Sequence, residues 1–393
     1  MLVIPLKIMA HLCSLRTYMY NCTPSLASVE NPMLSKIFQN RYSQILTIAG
    51  ATLAIFCFTA GSTHAATYTW DNGSTDAWWT TDANWAPDGT KPGAGAAGDV
   101  INFTGSGLLD GQAQPGADAV VTVGNVSWNN NFQWKMGTWN VVGSGITVDT
   151  GSTADAVWNS NGNTMTFDYT NFVLNNNLAL TGGGRINIEP GSGGITGNKG
   201  IIVENGRLNF QGIHVQRSNM TFTGGIEIKA NGIVSFGGGP GNYRNSDLGD
   251  GLITIHEGGQ LQAHNSVLDQ DFLFDINSTG TTTPFISGGD GSNWNASGEW
   301  TFDLTDAGNT IGDLWNIVGV GGAATYDTGF GIAGFTEDSG VWTGIANDAE
   351  YQFDQSTGAL SVTAEVTVPE PSTFALAALS LIGLGWFGWR RRS

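Results

Sequence analysis

The sequence predicts an all-β protein built as a right-handed parallel β-helix, or β-solenoid. Between residues 66 and 367, short stretches rich in β-branched and aromatic residues alternate with Gly, Asn and Asp, as in VINF (100–103), GITV (145–148) and LITI (252–255). Glycine is abundant, at 57 of 393 residues, and only 12% of the residues are charged. This composition is typical of a chain of strands and turns rather than of a helical protein.

Apolar triplets followed by a glycine recur in the middle of the chain. They are Ile186-Asn-Ile188 before Gly191, Ile201-Ile-Val203 before Gly206, Ile226-Glu-Ile228 before Gly232, and Ile253-Thr-Ile255 before Gly258. The last three triplets begin 25 and 27 residues apart. A strand, a glycine turn and a further strand at such a period indicate stacked coils. A β-sandwich or jelly roll stays open as the alternative, because its strands also recur at short intervals.

The mature chain divides into three parts by composition. Residues 66–110 are rich in tryptophan, with Trp70, Trp78, Trp79 and Trp85, and we expect their rings to cap the first coil. A platform that stacks on sugar rings is the functional alternative for these tryptophans. Residues 111–299 form the predicted solenoid body, and residues 300–363 are expected to close it with antiparallel strands.

Residues 1–65 have the pattern of a secretory signal region. Lys36 and Arg41 precede the apolar run 45–60, and small residues lead to a predicted cleavage after Ala65. Met33 is a plausible true start of translation. The pattern predicts the Sec translocon and signal peptidase as partners. Cys13, Cys22 and Cys57 all lie in this region, so cleavage removes every thiol and excludes a disulfide framework from the mature protein.

The C-terminal segment 364–393 ends in an apolar run and a basic cluster. Residues 374–389 carry no charge, and at ~1.5 Å per residue they cover about 24 Å as a helix. This pattern predicts a transmembrane helix, with Arg390, Arg391 and Arg392 held in the cytoplasm by the positive-inside rule. Pro369, Glu370 and Pro371 precede the run, and the prolines keep that peptide extended and accessible.

The three parts of this tail closely resemble the PEP-CTERM protein-sorting signal. The resemblance implies recognition of Pro369-Glu370-Pro371 by a membrane-embedded exosortase, with the arginines as the stop-transfer charge. It also implies a Gram-negative bacterium that makes exopolysaccharide. We therefore expect a precursor that is first anchored in the inner membrane. The processed protein is then expected in the cell envelope, on the outer surface or in the extracellular matrix.

The stretch TGGIEIKANGIVSFGGGPGNYRNSDLGDGLITIHEGGQLQ (223–262) resembles the autotransporter-associated β-strand repeat. This repeat is found in the passenger domains of surface proteins. The Trp-rich segment 69–103 is similar to the opening segment of secreted solenoid proteins of the same kind. Both resemblances imply a β-solenoid displayed outside the cell.

The charge distribution and the reactive residues restrict the chemistry. The formal net charge is −18, and no Lys or Arg lies between Arg244 and Arg390, which argues against nucleic-acid binding. His256 and His264 flank a Gly-Gly-Gln turn but match no zinc pattern. The acidic loops 247–250 and 269–271 offer oxygen ligands that suit Ca²⁺, and solvated loops are the competing interpretation. We therefore predict no catalytic residue, no cofactor and no resident metal.

These observations predict a non-enzymatic structural or adhesive protein of the cell surface or matrix, with exopolysaccharide as a possible partner. Two alternatives remain open at this stage. One is a polysaccharide lyase or hydrolase on a parallel β-helix, and the other is a carbohydrate-binding protein centred on the N-terminal tryptophans. Fold and address do not by themselves determine function.

Overall fold

A computed structural model describes the following residues: 65–71, 73–74, 79, 81–86, 97–104, 107–110, 120–128, 132–135, 145–168, 170–189, 194–210, 220–236, 248–263, 267–288, 294–319, 324–366, 377 and 379–382. The strands, in chain order, are β1 (Thr67–Trp70), β2 (Trp85–Ala86), β3 (Val100–Phe103), β4 (Gly107–Asp110), β5 (Val120–Val123), β6 (Val126–Trp128), β7 (Phe132–Lys135), β8 (Gly145–Val148), β9 (Ala156–Asn159), β10 (Thr164–Asp168), β11 (Asn171–Leu174), β12 (Leu178–Thr181), β13 (Arg185–Glu189), β14 (Ile195–Gly197), β15 (Ile201–Val203), β16 (Gly206–Phe210) and β17 (Ile226–Ile228). They continue as β18 (Gly232–Phe236), β19 (Ile253–His256), β20 (Gln260–Ala263), β21 (Val267–Leu268), β22 (Phe272–Asp275), β23 (Gly280–Thr281), β24 (Ile286–Gly288), β25 (Trp294–Ala296), β26 (Glu299–Asp303), β27 (Leu314–Asn316), β28 (Val318–Gly319), β29 (Ala324–Tyr326), β30 (Gly331–Ile332), β31 (Thr336–Asp338), β32 (Val341–Ala346), β33 (Ala349–Asp354) and β34 (Ala359–Glu365).

The described strands form five sheets, and the largest are parallel stacks apart from the antiparallel pair of β1 and β2. Sheet A has twelve strands in the order β2-β1-β3-β6-β9-β12-β15-β17-β19-β22-β26-β30. Sheet B has nine, in the order β28-β24-β20-β18-β16-β13-β10-β7-β4, and sheet C has four, in the order β14-β11-β8-β5. Sheet D joins β21, β25 and β29, and sheet E has the order β23-β27-β34-β33-β32-β31.

One coil is visible in the run from β9 to β12. The chain passes through sheet A as β9, sheet B as β10 and sheet C as β11, and returns to sheet A as β12. β12 then pairs in parallel with β9, so each coil lies on the one before it. In the later coils sheet D takes the place of sheet C after β20, and β23 and β27 leave the coil to join sheet E. The parallel stacking identifies a β-solenoid.

Side chains of the same kind stack in register inside the solenoid. In sheet A, Ile201 pairs with Ile226, and Ile226 pairs with Ile253. All three are buried, as is their neighbour in the next coil, Phe272. Strand residues alternate between the two faces, so a slip of one residue would turn the whole apolar column outward. The predicted triplet repeat therefore describes one wall of the solenoid.

The first predicted triplet lies in a different wall. Ile186 belongs to β13 of sheet B, where it pairs with Leu208 and continues a buried column to Val234 and Leu261. Ile186 therefore does not stack with Ile201, although the sequence pattern groups the two triplets in one repeat. Both walls alternate apolar and polar residues with a period of two, so the pattern alone does not separate them.

Glycine residues mark the corner between sheets A and B. Gly206 begins β16 directly after β15 and has φ of 89°, a left-handed conformation that disfavours other residues. A Cβ at this position would lie 2.5 Å from the carbonyl oxygen of Gly184 in the previous coil. The corner therefore requires glycine both for its backbone angle and for the close approach of two coils.

The C-terminal closure is smaller than the sequence predicted. β31, β32, β33 and β34 pair antiparallel, and β27 adds to β34 in the same sense. The predicted antiparallel segment 300–363, however, also contains β26 and β28 to β30, which continue the parallel stacks. The solenoid walls therefore extend to about residue 332, and the antiparallel group follows them.

These findings confirm the all-β solenoid and exclude the sandwich or jelly roll for the described chain, whereas the right-handed sense stays a prediction. Helical structure in the described residues is limited to the short 3-10 helix Asp82–Asn84, to 3-10 geometry at residue 248, and to residues 377 and 379–382. None of it is long and apolar enough to cross a membrane. The predicted signal helix lies outside the described residues.

Candidate functional site

The residues of the predicted sorting signal lie outside the described chain. These are Pro369, Glu370, Pro371, Arg390, Arg391 and Arg392. Within the predicted helix 374–389, the described residues 377 and 379–382 are helical. Leu379, Leu381 and Ile382 are between 65% and 70% exposed, so this helical piece presents large aliphatic side chains outward.

The predicted cleavage site lies at the edge of the first coil. Ala65 is exposed, and β1 begins two residues later. The backbone N–H of Ala66 donates to Oδ1 of Asp99 at 2.9 Å, and the Ala66 carbonyl accepts from the amide of Val100 at 2.8 Å. The residue after the cleavage site is therefore already part of the sheet.

The N-terminal tryptophans are packed against one another. The ring of Trp85 contacts those of Trp70 and Trp79 edge to face, with centroids 5.1 and 4.6 Å away. Its indole N–H donates to the carbonyl of Trp79 at 2.8 Å, and all three residues are buried. These three rings have no free face for a sugar, which overturns the platform interpretation for them. Trp78 lies outside the described residues.

An ionic cluster lies on the outer face of sheet A, across three consecutive coils. His256 on β19 has Nδ1 2.5 Å from Oδ2 of Asp275 on β22 and Nε2 2.8 Å from Oε1 of Glu227 on β17. The ammonium of Lys229 bonds to the same Glu227 oxygen and lies 3.4 Å from Nε2 of His256. An imidazole is thus held between two carboxylates beside a lysine.

Electrostatics in this cluster favour the ionised form of Glu227. Burial acts in the opposite direction, but hydrogen bonds and charge from Lys229 and His256 outweigh it and lower the pKa of Glu227. The four side chains remain between 25% and 35% exposed, so solvent reaches all of them. A basic residue beside carboxylates is the combination used for proton abstraction, but here each group already bonds another member of the cluster.

The sequence analysis named His256 but not its neighbours. It paired His256 with His264, which lies outside the described residues. The information that was missing is the register, that is, which residues of neighbouring coils pair with each other. Lys229, His256 and Asp275 each occupy the position directly after the inward apolar residue of their coil, and His256 pairs with Asp275 across the sheet. Aligning the coils would have brought them together.

The predicted calcium loops give no assembled site. In the part of the chain that the structure describes, no group of three or more His, Cys, Asp and Glu side chains is placed to hold a metal ion. Asp250 and Asp269 are exposed, and Oδ1 of Asp271 accepts a hydrogen bond from the amide of Glu299 at 3.0 Å. Asp247 lies outside the described residues.

A ladder of polar side chains runs along the outer face of sheet B. Asn209 donates to Oδ1 of Asn187 at 2.8 Å, and Asn187 donates to Oγ1 of Thr166 at 3.1 Å. Arg207 bonds Asn209 through Nε at 2.8 Å and reaches Gln262 through Nη2. Asn187 and Asn209 are buried, and neighbouring coils satisfy each other's amides through this ladder.

Comparison with known proteins gives one match. Residues 367–392 match the model of the PEP-CTERM protein-sorting motif. No curated protein and no solved structure matches the chain. The motif indicates an exported protein that is anchored at the membrane for sorting, with an exosortase as its processing partner.

Proposed function

We propose that this protein is a non-enzymatic structural or adhesive element of the cell surface or extracellular matrix, delivered there by an exosortase. The observation that carries the proposal is the PEP-CTERM match at 367–392 behind a body built almost entirely of stacked coils. The motif directs the protein to the surface, and a body of stacked coils is a suitable surface element.

The proposed route has three steps. The Sec translocon exports the chain, and signal peptidase cleaves after Ala65. The helix 374–389 then holds the precursor in the inner membrane, with Arg390 to Arg392 on the cytoplasmic side. The exosortase finally acts near Pro369-Glu370-Pro371 and passes the solenoid to the envelope or matrix, where exopolysaccharide is the expected neighbour.

Replacement of the motif tests the sorting step. The triple substitution Pro369→Ala, Glu370→Ala and Pro371→Ala should leave an unprocessed precursor in the membrane fraction of the native host. The double substitution Thr282→Ala and Thr283→Ala, in an exposed turn of the solenoid, is the control and should be processed like the wild type. Normal processing of the motif variant would contradict the proposal.

The second candidate is a polysaccharide lyase, which the cluster of His256, Glu227, Asp275 and Lys229 favours because it combines bases with carboxylates. It is tested by incubating the protein with uronate polymers and measuring the ultraviolet absorbance of unsaturated products. Our proposal expects none. Product formation that is lost in His256→Ala and kept in Lys199→Ala would establish the lyase instead.

A further inference from the structure

We propose that the outer face of sheet B around Arg185 and Arg207 binds the carboxylates of an acidic polysaccharide. The inference rests on the proposed function only in placing the protein outside the cell, where such polymers occur. The site itself follows from the positions of two arginines in a chain that has few cations.

Two guanidinium groups lie side by side, and no described carboxylate forms an ion pair with either of them. Arg185 on β13 and Arg207 on β16 are register partners, which places their backbones about 4.8 Å apart. Like charges directly opposite each other on neighbouring strands destabilise a sheet. Arg185 is exposed, and its guanidinium makes no hydrogen bond or ion pair with any part of the described chain. An anion bound between the two arginines would remove this repulsion.

Arg207 is held in place before any ligand arrives. Asn209 accepts a hydrogen bond from its Nε, and Gln262, two strands further along sheet B, accepts one from its Nη2. Asn209 is itself fixed by its bond to Asn187. A guanidinium that is already oriented loses less conformational entropy on binding than a free one.

Electrostatics on this face favour an anion. Burial, and next the charge of Arg185, lower the pKa of Arg207, and an anion bound beside it would favour its charged form. Glu189 shares the outer face of β13 but lies four residues along the strand, about 13 Å away at ~3.3 Å per residue. Lys229 on sheet A differs, because it has its own carboxylate in Glu227.

The chemistry of the face selects the ligand class. Guanidinium groups bind carboxylates through two parallel hydrogen bonds, which a planar uronate carboxylate accepts. Gln260 and Gln262 continue the face along the stack, and their half-buried amides suit sugar hydroxyls. A linear polymer that repeats its carboxylates gains avidity from individually weak contacts. The net charge of −18 repels it elsewhere and confines the contact to this face.

Binding of the mature protein, purified from its host, to polygalacturonate tests the proposal. We expect salt-sensitive binding to polygalacturonate and none to neutral dextran. Arg185→Gln should weaken binding about tenfold, the effect expected when one charge-assisted contact is lost. Lys199→Gln makes the same change of charge at an exposed position before β15, outside sheet B, and should bind like the wild type.

Several outcomes would overturn the proposal. Equal binding by Arg185→Gln and the wild type would show that Arg185 does not bind the polymer. An equal loss of binding in Lys199→Gln would show that binding depends on net charge rather than on this face. Binding to dextran sulfate but not to polygalacturonate would exclude the carboxylate. Salt-sensitive self-association that Arg185→Gln abolishes without polysaccharide would assign the face to a second copy of this chain. Normal exosortase processing beside absent binding would overturn this inference alone.

Discussion

The backbone N–H of Ala66 donates a hydrogen bond of 2.9 Å to Oδ1 of Asp99, a residue only 2% exposed. Ala66 directly follows the predicted signal-peptide cleavage site. Cleavage would turn its amide into an α-ammonium, and the hydrogen bond to the buried carboxylate would become an ion pair. Export and completion of the first coil are thereby linked at one atom.

This link predicts a difference between two forms of the mature N-terminus. Protein that begins with a free Ala66 should have a free energy of unfolding about 1–3 kcal/mol higher than protein acetylated at Ala66, because acetylation removes the charge. Urea unfolding measures this difference. The same comparison in Asp99→Asn is the control and should give no difference. An equal effect of acetylation in both backgrounds would contradict the pairing.

Trp300 should be the most costly side chain to truncate near the C-terminal closure. It is fully buried and joins the last coils to the antiparallel strands through Phe274, Phe330 and Phe353, at centroid distances of 5.1, 5.0 and 5.8 Å. Trp300→Ala should lower the free energy of unfolding by about 3–5 kcal/mol. Thr301→Ala, on the outer face of the same strand, should change it by less than about 1 kcal/mol, and similar losses in both would refute this role.

Two glycines with the same backbone angle should respond differently to alanine. Gly225 and Gly183 have φ of 76° and 73°. A Cβ on Gly225 would lie 2.0 Å from the carbonyl oxygen of Leu252 in the next coil, whereas one on Gly183 would meet nothing within 4 Å. Gly183→Ala should cost about 1–2 kcal/mol from backbone strain. Gly225→Ala should cost clearly more in urea unfolding, and equal costs would mean that the coils tolerate a wider spacing.

The cluster around Glu227 predicts an acid dependence of stability. Its folded-state pKa is lowered, so its contribution is complete above the unfolded value of 4.5 and is lost as the pH falls through the folded value. Glu227→Gln should therefore be less stable than the wild type near pH 7, and the difference should shrink below about pH 4.5. Thermal unfolding from pH 7 to pH 3 measures this, and parallel curves for the two proteins would contradict it.

The sequence was sufficient to predict the fold class, but not which strands form which wall of the solenoid. The triplets at Ile201, Ile226 and Ile253 were predicted to stack, and they do. The triplet at Ile186 was grouped with them but lies in sheet B, because an inward residue of sheet B has the same local pattern as one of sheet A. The closure at 300–363 was placed too early for a similar reason, since parallel and antiparallel strands have the same alternation.

The side-chain clusters were not predictable from spacing alone. His256 and Asp275 pair across neighbouring strands, and Glu227 reaches His256 from the adjacent position of β17, which pairs with Thr254. Only the register reveals this arrangement. The pairing of Arg185 with Arg207 has the same origin. The sorting motif was predictable from the sequence alone, because it consists of a short peptide, an apolar run and a basic cluster that follow one another in the chain.

The central claim is that this chain is an exported solenoid processed at both ends, and the intact mass of the protein from the envelope and medium of its host tests it most directly. We expect a species that begins at Ala66 and ends near Pro371. A membrane-bound species that keeps its C-terminus through Ser393 would contradict exosortase processing and reduce the tail to an anchor.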